Sequence, residues 1–179
     1  SRMLEKMHDE VILIKGARSY RFDKLTDLLS LKVHQTTLEV NLNAVVANLN
    51  YYRSFMKPGT KVACMVKASA YGSGAVEVAK TLQEHQVDYL AVAVADEGAE
   101  LRKAGISTNI MVMNPEMGCF NTLFEYDLEP EVYSFRLLDA LITAAEKEGV
   151  THFPIHIKLD TGMHRLGFHP ERDMPHLVA

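Results

Sequence analysis

Apolar residues in this chain fall into short runs separated by longer stretches of helical period. From residue 37 onward, the runs at 37–42, 62–67, 88–94, 109–113, 128–132 and 153–159 read as strands. Between them, 43–56, 75–85, 96–104, 117–125 and 134–148 read as helices. In the first of these, Leu42, Val45, Val46 and Leu49 recur at the i, i+3, i+4, i+7 spacing of one helix face. Gly105 and Gly149 each come directly after a helical stretch, where a left-handed C-terminal cap would sit. Strands alternating with helices predict βαβ units and a parallel sheet, with a barrel or a doubly wound sheet as the two ways of arranging it. A complete eight-stranded βα barrel takes about 250 residues. With 37–42 discounted as a lead-in, 37–179 supplies five barrel strands, so a barrel here is incomplete.

Residues 1–36 do not share this alternation. Val11-Ile12-Leu13-Ile14-Lys15-Gly16-Ala17-Arg18-Ser19 reads as a strand ending in a small-residue turn. Phe22-Asp23-Lys24-Leu25-Thr26-Asp27-Leu28-Leu29 reads as a short helix with Leu25, Leu28 and Leu29 on one face. The segment is expected to be the end of a preceding domain, joined to 37–179 by the short linker 32–36.

Composition narrows the function classes. The chain has 179 residues, 47% hydrophobic and 23% charged, which is ordinary for a globular protein with a sizeable core. Its formal net charge is -4, with lysines and arginines scattered rather than gathered in a basic stripe, so nucleic acid is not an expected partner. No apolar run approaches the ~20 residues that cross a bilayer, and the first residues lack a signal-peptide apolar region. The expectation is a cytoplasmic protein without a membrane partner. Cys64 and Cys119 have no framework spacing and are expected to be reduced thiols. His152 and His156 share an apolar segment, but four strand residues span about 13 Å, too far to share one ion easily, so no metal site is expected.

Candidate chemistry starts at Lys67. It closes the apolar run Lys61-Val62-Ala63-Cys64-Met65-Val66-Lys67 and is succeeded at once by Ala68-Ser69-Ala70-Tyr71-Gly72-Ser73-Gly74. A lysine delivered by a buried strand into a glycine-rich loop is placed to be a partly dehydrated amine, and so a Schiff-base former. The bland alternative is a strand-end lysine reaching for water.

Two segments decide between these readings. Val66-Lys67-Ala68-Ser69-Ala70-Tyr71-Gly72-Ser73-Gly74 and Ile157-Lys158-Leu159-Asp160-Thr161-Gly162-Met163-His164-Arg165-Leu166-Gly167-Phe168 resemble the cofactor-lysine motif and the Asp-Thr-Gly-Met-x-Arg motif of bacterial alanine racemases. The resemblance covers about 37–179. It implies a (β/α)8 TIM-like barrel carrying pyridoxal 5'-phosphate, joined in the family to a mostly β domain, with homodimers that have active sites at the subunit boundary. It also implies interconversion of L-alanine and D-alanine, which supplies D-alanine for peptidoglycan.

The resemblance also implies roles. Lys67 would hold the cofactor as an aldimine, yield it to the substrate amine, and then carry the α-proton on the D face. Tyr71 would reach the cofactor phosphate; otherwise it is a loop tyrosine packed beside the barrel. Arg165 would contact the cofactor's phenolic oxygen and lie against the substrate carboxylate, as suits a planar fork of donors. Lys158 would be the lysine that family members carry as a carbamate. Asp160, Thr161 and Gly162 are better explained as turn residues. The chain departs from the family pattern at Ser69, where asparagine is frequent, at Ser73, where histidine is frequent, and at His164, where glycine is usual.

Val11 through Arg18 is similar to the closing strand and turn of Mur ligases, which implies a fusion of a D-alanyl-D-alanine-adding ligase to a racemase. Two other classes share the lysine strand: a non-catalytic pyridoxal-phosphate-binding barrel and a barrel decarboxylase of basic amino acids. The family's second base and most of its phosphate contacts are expected outside this chain. The 179 residues alone are therefore expected not to racemise alanine at an enzymatic rate. Alanine and serine are not separated as substrates by these residues.

Overall fold

The computed structural model describes residues 38–178; the predicted strand and helix within 1–36 lie outside them. Helix α1 is Leu42–Arg53, and it begins inside the stretch whose apolar pattern predicts a strand. Asn41 is extended and its Oδ1 accepts the Ala44 N–H at 3.1 Å, an N-cap that commits Leu42 to the helix. No strand forms among 38–41. The apolar alternation of Leu38, Val40 and Leu42 imitates a strand, but Leu38 and Val40 are exposed and only Leu42 joins the core.

The remaining elements come in alternation: β1 Ala63–Met65, α2 Ala75–Glu84, β2 Tyr89–Val92, α3 Ala95–Lys103, β3 Asn109–Val112, α4 Phe120–Glu125, β4 Leu128–Val132, α5 Phe135–Glu148, β5 His156–Ile157 and α6 Pro170–Leu177. Five strands and five helices agree with the sequence reading to within a few residues, except that β5 is far shorter than 153–159. Helix α6, with Pro170 in its first turn and His169 as its cap, has no counterpart in the apolar pattern.

All neighbouring strands are parallel, and their spatial order is β1-β2-β3-β4-β5, the order of the chain. A doubly wound sheet reverses direction at a switch point; a βα barrel does not. The topology is therefore that of five successive units of a barrel, an α/β fold with parallel strands.

Each strand has two different faces. Leu90, Ile110 and Leu128 form one fully buried row, and Val92, Val112 and Val132 lie further along their strands; these side chains meet Ala79, Leu82, Leu101, Leu123 and Leu137 from the helices. Burying each such side chain contributes about 1.5–3 kcal/mol, so this layer between sheet and helices carries most of the stability. Gly98 lets α3 approach the sheet: a Cβ there would lie 2.8 Å from Leu128 Cδ1. The alternate positions, including Ala91, Met111, Glu129, Glu131 and His156, face the other side of the sheet.

Side chains stitch the loops that lead into the strands. Arg102 donates to the carbonyls of Tyr126 at 2.9 Å, Ile106 at 2.9 Å, Thr108 at 2.6 Å and Asp127 at 3.1 Å. Gln83 Oε1 accepts the N–H groups of Ser107 and Thr108, Asp88 accepts the Val62 N–H, and Arg53 donates to His85 and Gln86.

Candidate active site

Lys67 leaves the sheet at the carboxyl end of β1, where barrel enzymes place their chemistry. The Val66 N–H still pairs with the Ala91 carbonyl at 2.8 Å, and Lys67 itself is half-buried. The residues after Lys67 form a tightly wound turn. Ala68, Ser69, Ala70 and Tyr71 have φ of 52°, 54°, 50° and 56°, a run of four non-glycine residues in the left-handed region. Bonds from Ala70 N–H to Val66 O, Gly72 N–H to Ala68 O and Gly74 N–H to Ser69 O close the turn at 3.0–3.1 Å.

Left-handed backbone costs about 1–2 kcal/mol per L-residue and persists only where the surroundings impose it. The imposing group is Glu97, in the first turn of α3. Its Oε1 accepts the Ala68 N–H at 2.7 Å and its Oε2 accepts the Ala93 N–H at 2.8 Å, tying the lysine turn to the end of β2. Ala70 is buried beneath the turn, while Tyr71 is 66% exposed. The sequence gives Glu97 no evident part. The left-handed run carries no glycine until Gly72, so composition does not announce it.

Toward the opposite edge of the sheet, β4 and β5 present two polar side-chain pairs. His156 Nε2 lies 2.7 Å from Glu129 Oε2. Lys158, which extends β5 through its N–H to Val132 O at 2.9 Å, forms an ion pair with Glu131 and donates to the Met113 carbonyl at 3.2 Å. The register sets Glu131 beside His156, so each pair is a diagonal contact across neighbouring strands. Glu129 and Glu131, which sequence reasoning did not single out, are the partners of His156 and Lys158. Their signal was the strict alternation in Leu128-Glu129-Pro130-Glu131-Val132, which sends both carboxylates to the face that the core leaves open.

The loop 159–168 is closed by Asp160 N–H to Phe168 O at 2.9 Å and Phe168 N–H to Lys158 O at 2.8 Å. Gly167 has φ 132°, and a Cβ there would lie 2.6 Å from Asp160 N, so this position accepts only glycine. Asp160 Oδ1 accepts the N–H groups of Gly162 at 3.0 Å and His164 at 2.9 Å, and Oδ2 meets His164 Nδ1 at 3.1 Å. The His164 N–H and then the Gly162 N–H hold the Asp160 carboxyl below its ordinary range. Asp160 is thus spent on the turn. His164 has φ 57°, which accounts for glycine being the usual residue there; its ring contact with Asp160 offsets part of the strain.

Arg165 is exposed on this loop. Hydrogen bonds and ion pairs gather Lys158 with Glu131 and Met113, and Ala68 with Glu97 and Ala93; they do not join Lys67, Tyr71 and Arg165 to one another. Cys64 and Cys119 are free thiols, both pushed up by burial. Among the described residues, no helix is long and apolar enough to cross a membrane.

The profile of the family described as "Alanine racemase, N-terminal domain" matches residues 40–179. The chain is 42% identical over 141 residues to an alanine racemase of Methanococcus maripaludis, covering 78% of this chain and 37% of that protein. It is 40% identical over 136 residues to one of Halothermothrix orenii, covering 75% and 36%. Among solved structures, alanine racemase of Clostridium difficile 630 superposes with a TM-score of 0.73 at 34% identity, over 80% of this chain and 39% of that one. Alanine racemase of Bacillus anthracis with bound L-Ala-P superposes with a TM-score of 0.70 at 31% identity, over 78% and 36%. The chain therefore spans under two fifths of the length of these relatives. A parallel βα topology that presents Lys67 at the end of its first strand, matched at these identities over the whole described unit, places the chain in the alanine racemase N-terminal domain family.

Proposed function

We propose that this chain is the cofactor-bearing part of a pyridoxal-phosphate-dependent alanine racemase. The observation that supports this best is Lys67 itself, half-buried at the end of β1 and leading into a left-handed turn that Glu97 fixes to the end of β2. The donor set fits the cofactor. Glu97 is committed to two backbone N–H groups, and the contacts of carboxylates with basic side chains among the described residues run through Glu129, Glu131, Asp160 and Asp173 without including Lys67. A primary amine left out of ion pairs, at the mouth of a parallel strand, is what an aldehyde cofactor needs.

Lys67 would hold pyridoxal 5'-phosphate, with Tyr71 toward its phosphate and Arg165 toward its phenolic oxygen and the substrate carboxylate. When bound, the cofactor supplies the electrophilic carbon that takes the substrate amine and the electron sink that makes the α-proton acidic. Lys67 Nζ would take the α-proton from one enantiomer and, in the reverse direction of the reaction, deliver a proton to that same face. The turn that Glu97 fixes would limit the swing of the amine, which favours proton transfer over that from a free loop lysine. The opposite face needs a second proton carrier from the remainder of the protein.

For the whole protein we propose a cytoplasmic homodimer supplying D-alanine to peptidoglycan synthesis. Residues 1–36 would end a Mur ligase-like D-alanyl-D-alanine-adding domain; this rests on the Val11 through Arg18 pattern alone. The deciding experiment is D/L-alanine interconversion by the full-length protein with pyridoxal phosphate, beside its Lys67→Ala variant. Borohydride fixation of the cofactor and subsequent peptide mapping accompany it. Turnover lost in the variant, with the cofactor fixed on Lys67 in the parent, is the expected result. Fixation on Lys67 without racemisation would favour the binding-protein or decarboxylase class. ATP-dependent ligation of D-alanyl-D-alanine tests the ligase portion.

A further inference from the structure

We propose that Glu97 is the positioning residue of Lys67: its carboxylate sets the direction in which the lysine side chain leaves the sheet, and so the imine that Lys67 would make with an aldehyde cofactor. The inference rests on the racemase reading and deepens it. Lys67 is pinned from both sides by the neighbouring βα unit. Before it, the Val66 N–H donates to the Ala91 carbonyl of β2 at 2.8 Å. After it, the Ala68 N–H donates to Glu97 Oε1 at 2.7 Å, while Glu97 Oε2 accepts the Ala93 N–H at 2.8 Å. The Ala93 carbonyl in turn accepts the Asn114 N–H at 2.9 Å, which carries the same frame on to the end of β3.

The bonds donated by Ala70, Gly72, Ser73 and Gly74 close the turn on itself and on Val66; Glu97 adds the tie to the next unit. When the imine forms, the neutral Lys67 nitrogen bonds to the aldehyde carbon and the carbonyl oxygen departs as water. The long lysine side chain loses rotamer freedom in that step, and a backbone free to swing would add its own ordering cost; the clamp has met that cost before the cofactor arrives. The clamp needs a carboxylate, because both oxygens face N–H groups. In Glu97→Gln one acceptor becomes a donor aimed at an N–H. Glu97 acts through the backbone of Lys67, so its loss should be felt in cofactor attachment and proton transfer rather than in the capture of alanine.

The test titrates full-length, cofactor-stripped protein with pyridoxal phosphate, following the imine absorbance and locating the imine by borohydride reduction and peptide mapping. The parent is compared with Glu97→Gln, Glu97→Ala and Arg102→Ala, the last a control for mere destabilisation because Arg102 seals carbonyls at the amino ends of the strands. Cofactor affinity is expected to weaken about tenfold in Glu97→Gln, further in Glu97→Ala, and not in Arg102→Ala. The kcat for alanine should fall in Glu97→Gln while KM stays near the parental value. In the cofactor-free protein, amide exchange across 67–71 should quicken in both Glu97 variants and not in Arg102→Ala. Should Glu97→Ala fail to fold, Glu97→Gln carries the test alone. Parental affinity, absorbance and exchange in Glu97→Gln overturn the proposal, as does an equal loss of affinity in Arg102→Ala. A parent that forms no imine on Lys67 overturns the cofactor reading itself, and this inference with it.

Discussion

The two rims of the sheet solve the same problem, the turning of a chain between strand and helix, in different ways. At the amino ends of the strands, left-handed residues occur singly, as at Gln86, Gly105, Asp127 and Gly149, and polar side chains seal the exposed carbonyls. Arg102 alone seals four of them. At the carboxyl ends, four successive residues are left-handed, a glycine is squeezed against backbone at 167, and carboxylates hold N–H groups in place. The first rim is built for stability at low strain. The second stores strain and spends acidic residues to keep it, which is the pattern expected where a lysine must be aimed.

Gly167→Ala should break the second rim most severely, because its Cβ would collide with the Asp160 and Leu159 backbone. A loss of about 3 kcal/mol is expected by denaturant unfolding. Arg102→Ala should cost about 2 kcal/mol by stranding carbonyls on the first rim, yet leave the cofactor affinity of the folded protein unchanged. Glu97→Ala should cost about 1–2 kcal/mol and, unlike Arg102→Ala, weaken retention of pyridoxal phosphate, since it frees the Ala68 and Ala93 N–H groups. Equal effects of the two variants on cofactor affinity would erase the distinction between the rims. Ser69→Asn should stabilise by a few tenths of a kcal/mol, because asparagine tolerates φ of 54° better than serine.

Acid separates the rims as well. Asp173, held by the Arg172 guanidinium and the His169 N–H, is lowered to about 2, and Asp160 is lowered by the His164 and Gly162 N–H groups. Depressed carboxyls stabilise fully above their ordinary value near 3.8, and that contribution disappears as pH falls through the folded values. Hydrogen exchange between about pH 4 and pH 2 should therefore open 159–173 ahead of the loops that Arg102 closes. The reverse order would count against this assignment of charge.

Much of this was legible in the chain itself. The period of the apolar runs located five strands and five helices, because covering one sheet face with helices demands rows such as Leu90, Ile110 and Leu128. The misread strand at 37–42 failed because an asparagine cap outweighs three alternating apolar residues, and caps act through geometry that spacing alone does not reveal. The positions of Lys67 and Lys158 at strand ends were visible too, and the departures Ser69 and His164 gained a reason once their φ values were known. The clamp by Glu97 and the pairing of Glu131 with Lys158 were not visible. Glu97 reaches Ala68 over 29 positions and Glu131 reaches Lys158 over 27, and only the packing of successive βα units brings them together.

The sheet adds its strands in the order in which they are synthesised. Each described strand after β1 finds its partner already made, one βα unit earlier, so no pairing within this five-stranded sheet must wait for a distant segment. Such a chain is suited to fold vectorially while it leaves the ribosome, each unit docking on the last and covering an edge that would otherwise invite aggregation.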